Sequence, residues 1–219
     1  MLDALRIPLC QEFLLLAGIE HQQLANALLP GANDGKVTVE TDMTDIGTGS
    51  YTIIAQTAAE MMGVPLDRVV VHLGDSRFPE SSGSGGQWGA ASSTAGVYAA
   101  CMKLREAVAG KLGLSGGDVE FADRQVRAGG KTLPLRDAAK DGVVEAEDSI
   151  EFGDLAKQYQ QSTFGAHFVE VAVDMASGEC RVRRMLAVCA AGRILNPITA
   201  RSQVIGAMTM GVGAALSEE

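Results

Sequence analysis

Lys36-Val-Thr-Val-Glu-Thr-Asp-Met-Thr-Asp-Ile-Gly-Thr-Gly-Ser-Tyr-Thr-Ile-Ile-Ala-Gln-Thr-Ala-Ala-Glu-Met-Met-Gly-Val-Pro-Leu-Asp-Arg-Val-Val-Val-His-Leu73 is the stretch that decides the fold. Its first seven residues alternate, with Val37, Val39 and Thr41 on one face, the pattern of a half-buried strand. Asp45-Ile-Gly-Thr-Gly-Ser50 then breaks the alternation, and Tyr51 to Met62 has helical character. Gly63-Val64-Pro65 ends that helix, with glycine just past the last turn and proline beyond it. Arg68 to Leu73 is apolar on both faces, as strands of parallel sheets usually are. The sum is a β-α-β unit.

Such a crossover leaves both strands pointing the same way, so their C-terminal ends open onto one edge of the sheet. Asp45 to Ser50 leaves the first strand there, and Gly74 to Gly89 leaves the second. The second loop joins a strong strand to a strong helix, Ala90 to about Leu112, which excludes a flexible linker. Each loop feeds a helix N-terminus, where unpaired N–H groups and the helix dipole favour an anion. Two such ends at one edge predict an extended ligand with a phosphate and other polar atoms. Gly47-Thr48-Gly49 by itself is equally a structural turn. Ser84-Gly-Gly-Gln-Trp-Gly89 carries more information, because adjacent glycines admit close backbone approach and Gln87 offers both donor and acceptor atoms. Trp88 reads as a packing residue. Asp42, Asp45 and Asp75 lie near the same edge and read as capping and turn carboxylates. The signatures of P-loop nucleotide hydrolases and of dinucleotide-binding folds do not occur, and no serine or cysteine has a readable base partner.

Around this unit, residues 1–34 show apolar spacing that predicts a helical segment ending near Pro30-Gly31. Residues 113–160 predict a small, insert-like, strand-rich region, with short strands over 119–122 and 125–128, a short helix over 135–140 and irregular polar chain over 141–161. A hairpin follows about Met175-Ala-Ser-Gly178, with Glu170 and Asp174 set against Arg181 and Arg183. Asn196-Pro197 opens a last helix to about Leu216, and the run Val204 to Leu216 reads as buried. The expected class is α+β: a β-α-β unit with glycine-rich loops at one sheet edge, a small strand-rich middle segment and a C-terminal hairpin and helix.

Composition bounds the function. The chain has 219 residues, 47% of them hydrophobic, enough for a real core and against intrinsic disorder. A net charge of −9 argues against nucleic acid or an anionic membrane surface as a partner. The 26 glycines exceed the usual share, and many fall in the two loops and in 192–213. No signal peptide is readable and no apolar run reaches the length of a membrane span, so the expectation is cytoplasmic, with a periplasmic parent enzyme still open. Cys10, Cys101, Cys180 and Cys189 form no metal-ligand spacing and read as buried free thiols. His21, His72 and His167 are scattered and read as structural, and no metal site is expected within the chain.

Three stretches in one order carry a resemblance: Thr44-Asp-Ile-Gly-Thr-Gly-Ser-Tyr-Thr-Ile-Ile-Ala-Gln56, Gly83-Ser-Gly-Gly-Gln-Trp-Gly-Ala-Ala-Ser92, and Gly192-Arg-Ile-Leu-Asn-Pro197 with Arg201-Ser-Gln-Val-Ile-Gly206. Together they resemble the molybdenum-binding large subunit of the xanthine dehydrogenase/aldehyde oxidoreductase (molybdenum hydroxylase) family. The resemblance covers residues 35–219 and implies the C-terminal molybdopterin-binding portion of that subunit. It implies a molybdopterin cofactor, in bacteria often the cytosine dinucleotide, touched by Ile46, Gly47, Thr48 and Gly49, by Gly85, Gly86 and Gln87, and by Gln203. Thr48 stands where many members have glutamine. The family's general-base glutamate matches nothing here, so the resemblance implies a fragment with no catalytic residue of its own and no bound cofactor when isolated. The parent enzyme would hydroxylate an aldehyde or N-heterocycle with oxygen from water. Its electrons would go to iron–sulfur and FAD partners, and the remaining large-subunit domains would complete the site. Alternatives are a standalone nucleotide- or phosphometabolite-binding module, and a truncated non-catalytic subunit prone to self-association.

Overall fold

The computed structural model describes residues 23–29, 35–85, 89–114, 118–150, 155–158 and 164–218. They fall into two units, 18–159 and a second one that includes 160–219.

In the first unit, β1 (Gln23–Leu29), β2 (Val37–Thr41), α1 (Ser50–Met62), β3 (Val69–Leu73) and α2 (Gly89–Lys111) are followed by the short strands β4 (Glu120–Ala122), β5 (Gln125–Ala128) and β6 (Lys131–Pro134) and by β7 (Val144–Ile150). The main sheet runs β3-β2-β1-β7, parallel only between β2 and β3. The β-α-β unit is therefore present as expected, as one parallel pair in an otherwise antiparallel sheet. β2 buries the face chosen by its alternation: Val37, Val39 and Thr41 are inside. α1 lies over β2 and β3, and α2 packs beside it over β1 and β7. Ile54, Ala58 and Met62 of α1 meet Val97, Cys101, Leu104 and Val108 of α2 in one core with Val37 and Val39. Its drive is removal of apolar surface from water, about 25 cal/mol per Å².

The end of α1 is fixed by Gly63, left-handed at φ 62, whose N–H is bonded to the last turn and whose carbonyl accepts from Arg124 N–H at 2.8 Å. A Cβ at Gly63 would collide with the backbone of Phe121 and Ala122, so only glycine lets the β4–β5–β6 meander dock there. Arg105 of α2 reinforces the junction. Its guanidinium donates to Met61 O at 2.6 Å and Val119 O at 3.0 Å and lies 4.4 Å over the Phe121 ring.

Several sequence expectations need correction in this unit and the next. The helical segment expected over 1–34 is a strand at Gln23–Leu29, paired to β2 on one side and β7 on the other; the rest of that segment lies outside the described residues. Leucines four apart suit either period, and non-local pairing decides between them. The irregular stretch expected over 141–161 contains β7, whose alternation of Val144, Ala146 and Asp148 with exposed Glu145 and Glu147 was masked by its acidic face. β3, expected to be covered on both faces, is the sheet edge and leaves His72 exposed. Of the cysteines expected to be buried, Cys101 is, whereas Cys180 and Cys189 are exposed; Cys10 lies outside the described residues.

A one-turn helix α3 (Leu155–Gln158) stands at the end of the first unit. The second unit is the hairpin β8 (Phe164–Val173) and β9 (Cys180–Ala190), followed by α4 (Pro197–Ser217). The hairpin forms where the alternation predicts, but a bulge at Glu170/Val171 shifts its register. Glu170 consequently meets Arg184 at 2.6 Å, Arg181 turns to Glu179 at 2.8 Å, and Asp174 accepts the turn N–H groups of Ala176 and Ser177. The run Val204 to Leu216, expected to be buried, has no buried residue: Met210 is 75% exposed and Ile205 44%. An apolar groove between β9 and α4 is lined by Met185, Ile205, Met208 and Val212.

Candidate functional site

The β-α-β geometry places the loops after β2 and β3 at one sheet edge, and hydrogen bonds tie them together. Asp42 N–H donates to Pro79 O at 3.1 Å, and the Asp42 carboxylate accepts Ser81 N–H at 2.7 Å. Two residues on, Thr44 N–H donates to Ser84 Oγ at 3.2 Å, while Ser84 Oγ–H donates to Thr44 O. Residues 42–44 and 79–84 thus form one rim across about forty residues of sequence. A Cβ at Gly89, the first residue of α2, would press on Met43 Cε at 3.3 Å, so the helix start closes on the same rim.

The first loop turns through two left-handed glycines, Gly47 at φ 97 and Gly49 at φ 85. Gly49 is also the N-cap of α1 and has no side chain to cap it. Asp45 supplies what is missing: Oδ1 accepts Gly47 N–H at 2.8 Å and Oδ2 accepts Tyr51 N–H at 3.3 Å. Burial pushes its carboxyl up, but donation from Gly47, Tyr51, Gly49 and Thr48 outweighs this and leaves it below its ordinary value. Thr48 Oγ1 and the buried Ser50 Oγ share a hydrogen bond of 3.1 Å. Ile46, 62% exposed, stands out from the turn. Asp75 accepts Arg77 N–H at 2.9 Å and its guanidinium at 2.5 Å, and this donation holds the carboxyl down at about 2. The three aspartates are therefore turn and tie carboxylates, as their positions in the sequence indicate.

The expected site residues divide by unit. Ile46, Gly47, Thr48, Gly49 and Gly85 are on the two loops that the rim joins. Gly86 and Gln87, with Trp88, lie outside the described residues. Gln203 belongs to the second unit, exposed in the second turn of α4, a helix opened by Asn196, whose Oδ1 accepts Ile198 and Thr199 N–H at 3.0 and 3.4 Å, with Pro197 following. Sequence reasoning passed over Ser84 and Asp42 as the residues that join the loops. Their signal was weak, since polar residues in glycine-rich turns are usual. Among the described residues no group of three or more His, Cys, Asp or Glu could hold a metal ion. None of their helices is long and apolar enough to cross a membrane.

The rim suits a ligand that approaches backbone. Gly47 and Gly83 both have positive φ, and a Cβ at either would project into open space, the space a ligand lying along the loops would need.

Comparison with known proteins identifies the family. Residues 10–219 match the family model described as a molybdopterin cofactor-binding domain. The chain is 69% identical over 186 residues to the aldehyde oxidoreductase molybdenum-binding subunit PaoC of Escherichia coli (strain K12), covering 85% of this chain and 25% of that protein. It is 30% identical over 218 residues to the putative xanthine dehydrogenase molybdenum-binding subunit XdhA of the same organism, covering 90% of this chain and 28% of that one. The chain thus spans about a quarter of the length of these relatives. Its fold is similar to the crystal structure of quinoline 2-oxidoreductase from Pseudomonas putida 86, with a TM-score of 0.70 and 24% identity over 84% of this chain and 25% of that one. On the strength of the match over residues 10–219, this chain belongs to the molybdopterin cofactor-binding domain family.

Proposed function

We propose that this chain forms one wall of a molybdopterin site in an aldehyde- or N-heterocycle-hydroxylating enzyme. The observation that carries the reading is the pair of glycine loops tied by Asp42–Ser81 and Thr44–Ser84, in a chain 69% identical to a molybdenum-binding aldehyde oxidoreductase subunit. In this reading Ile46, Gly47, Thr48 and Gly49 contact the cofactor from one loop, and Gly85, Gly86 and Gln87 are the further contacts that the family resemblance implies. Gln203 enters the same proposal through the family resemblance alone. When bound, the molybdenum carried by molybdopterin would supply the redox centre for oxygen transfer from water. The residues of this chain bind and orient it, with the glycines admitting it to backbone contact. The cytosine dinucleotide form, a cytoplasmic location, and iron–sulfur and FAD partners belong to the same proposal.

The reading also holds that the 219-residue chain by itself retains little cofactor. Its second unit exposes apolar side chains, Phe164 at 80% and Ile198 at 78%, that suit contact with further protein segments or with another copy. The test is a chimera in which this segment replaces its counterpart in the E. coli subunit. Molybdenum by elemental analysis and pterin by fluorescence after oxidative release are expected near one per chimera, and well below one for the 219-residue chain. Gly47→Val in the chimera is expected to lower both. A chimera that folds and assembles but holds neither molybdenum nor pterin refutes the assignment.

A further inference from the structure

The start of α1 has the features of an anion site, yet an internal carboxylate already sits on it. We propose that Asp45 is a built-in anion, a positioning residue that shapes the 46–49 turn and closes the N-terminus of α1 to any phosphate of the bound ligand.

The geometry is specific. One carboxylate spans the turn, Oδ1 on Gly47 N–H at 2.8 Å and Oδ2 on Tyr51 N–H at 3.3 Å, so residues 45, 47 and 51 are held as one piece. Next along the first turn, Thr52 and Ile53 N–H donate to Gly49 O at 3.1 and 3.3 Å. A charged acceptor at a helix start also gains from the dipole, which a neutral cap gains less. The low-lying carboxyl of Asp45 agrees with a group that stays ionised on these donors. An approaching phosphate would have to displace this carboxylate and would meet its negative charge. The first loop therefore presents a preshaped, anion-repelling surface in which the Ile46 side chain, the Thr48 hydroxyl and peptide edges stand beside the occupied helix end. This gives the proposed molybdopterin site a polarity, with the heterocycle against loop 46–49 and the phosphate held by other elements. That last step rests on the proposed function; the closure of the helix end does not.

The test uses the 219-residue chain, inorganic phosphate as the probe, and amide NMR with hydrogen exchange as the readout. In the wild type, phosphate is expected to leave the Gly47 and Tyr51 amide signals unmoved. In Asp45→Ala, exchange protection at Tyr51 is expected to fall about tenfold relative to the core amides of β2, the scale of a lost helix cap. Phosphate or formate should then shift the Gly47 and Tyr51 signals of that variant and restore part of the lost protection. Asp45→Asn, which keeps one acceptor oxygen in place, should lie between the two and covers the case in which the alanine variant fails to fold. Phosphate shifts at Gly47 and Tyr51 in the wild type as large as in the variants, or wild-type protection at Tyr51 in Asp45→Asn and Asp45→Ala alike, would overturn the proposal. None of these readouts involves molybdenum or pterin, so an empty chimera would refute the proposed function and leave this test standing.

Discussion

If the two loops act as one rim, the residues that join them must be energetically coupled. Asp42→Ala removes the acceptor of Ser81 N–H, a 2.7 Å bond to a half-buried carboxylate. Hydrogen bonds to charged acceptors are worth about 1.5–3 kcal/mol, and partial exposure puts this one near the low end, about 1.5 kcal/mol. Ser84→Ala removes both bonds to Thr44, neutral and exposed, for about 1 kcal/mol together. Each substitution releases the same loop, so the second has less order left to lose. The double variant should fall short of the additive cost by about 0.5–1 kcal/mol. Urea unfolding of the wild type, both single variants and the double variant measures the coupling. Hydrogen exchange at Ser81 and Thr44 shows whether the loss is local. Strict additivity, with Thr44 exchange unchanged in Asp42→Ala and Ser81 exchange unchanged in Ser84→Ala, would refute the picture of a joint rim.

Gly63→Ala combines a left-handed backbone with a collision against Phe121 and Ala122. It should cost about 2–4 kcal/mol, read as a fall in melting temperature of about 4–16 °C. Asp75 should titrate at about 2 by NMR of its carboxyl carbon, because Arg77 donates to it. Its folded value lies below the usual 3.8, so its contribution is present above that pH and lost as pH falls toward 2, and added salt should weaken it. Cys101, buried and pushed up to about 12 by desolvation, should resist thiol reagents in the native chain at pH 8, whereas Cys180 and Cys189 react, as peptide mass mapping would show. Because the Cys101 value is raised, the matching stability is full below about 9 and declines as pH rises toward 12, detectable as a falling urea midpoint that Cys101→Ser lacks.

Sequence alone determined the local elements and their order: the alternation of Val37, Val39 and Thr41, the glycine turn at 47–49, the Gly63-Val64-Pro65 stop and the hairpin about Gly178 all match the structure. These are short-range effects of side-chain period and backbone freedom, and they leave a mark in neighbouring residues. The convergence of two loops was also legible, because a parallel crossover admits one geometry. Tertiary structure decided the rest. It made a strand of Gln23–Leu29 by pairing both its edges, drew β7 out of an acidic stretch into the same sheet, and set Glu170 against Arg184 through a bulge. It also turned Asp42 and Ser84 into the ties of the rim and left α4 with no buried residue. For each of these pairings the deciding partner lies far along the chain or across a register shift, where a residue's own neighbours carry no record of what it will meet.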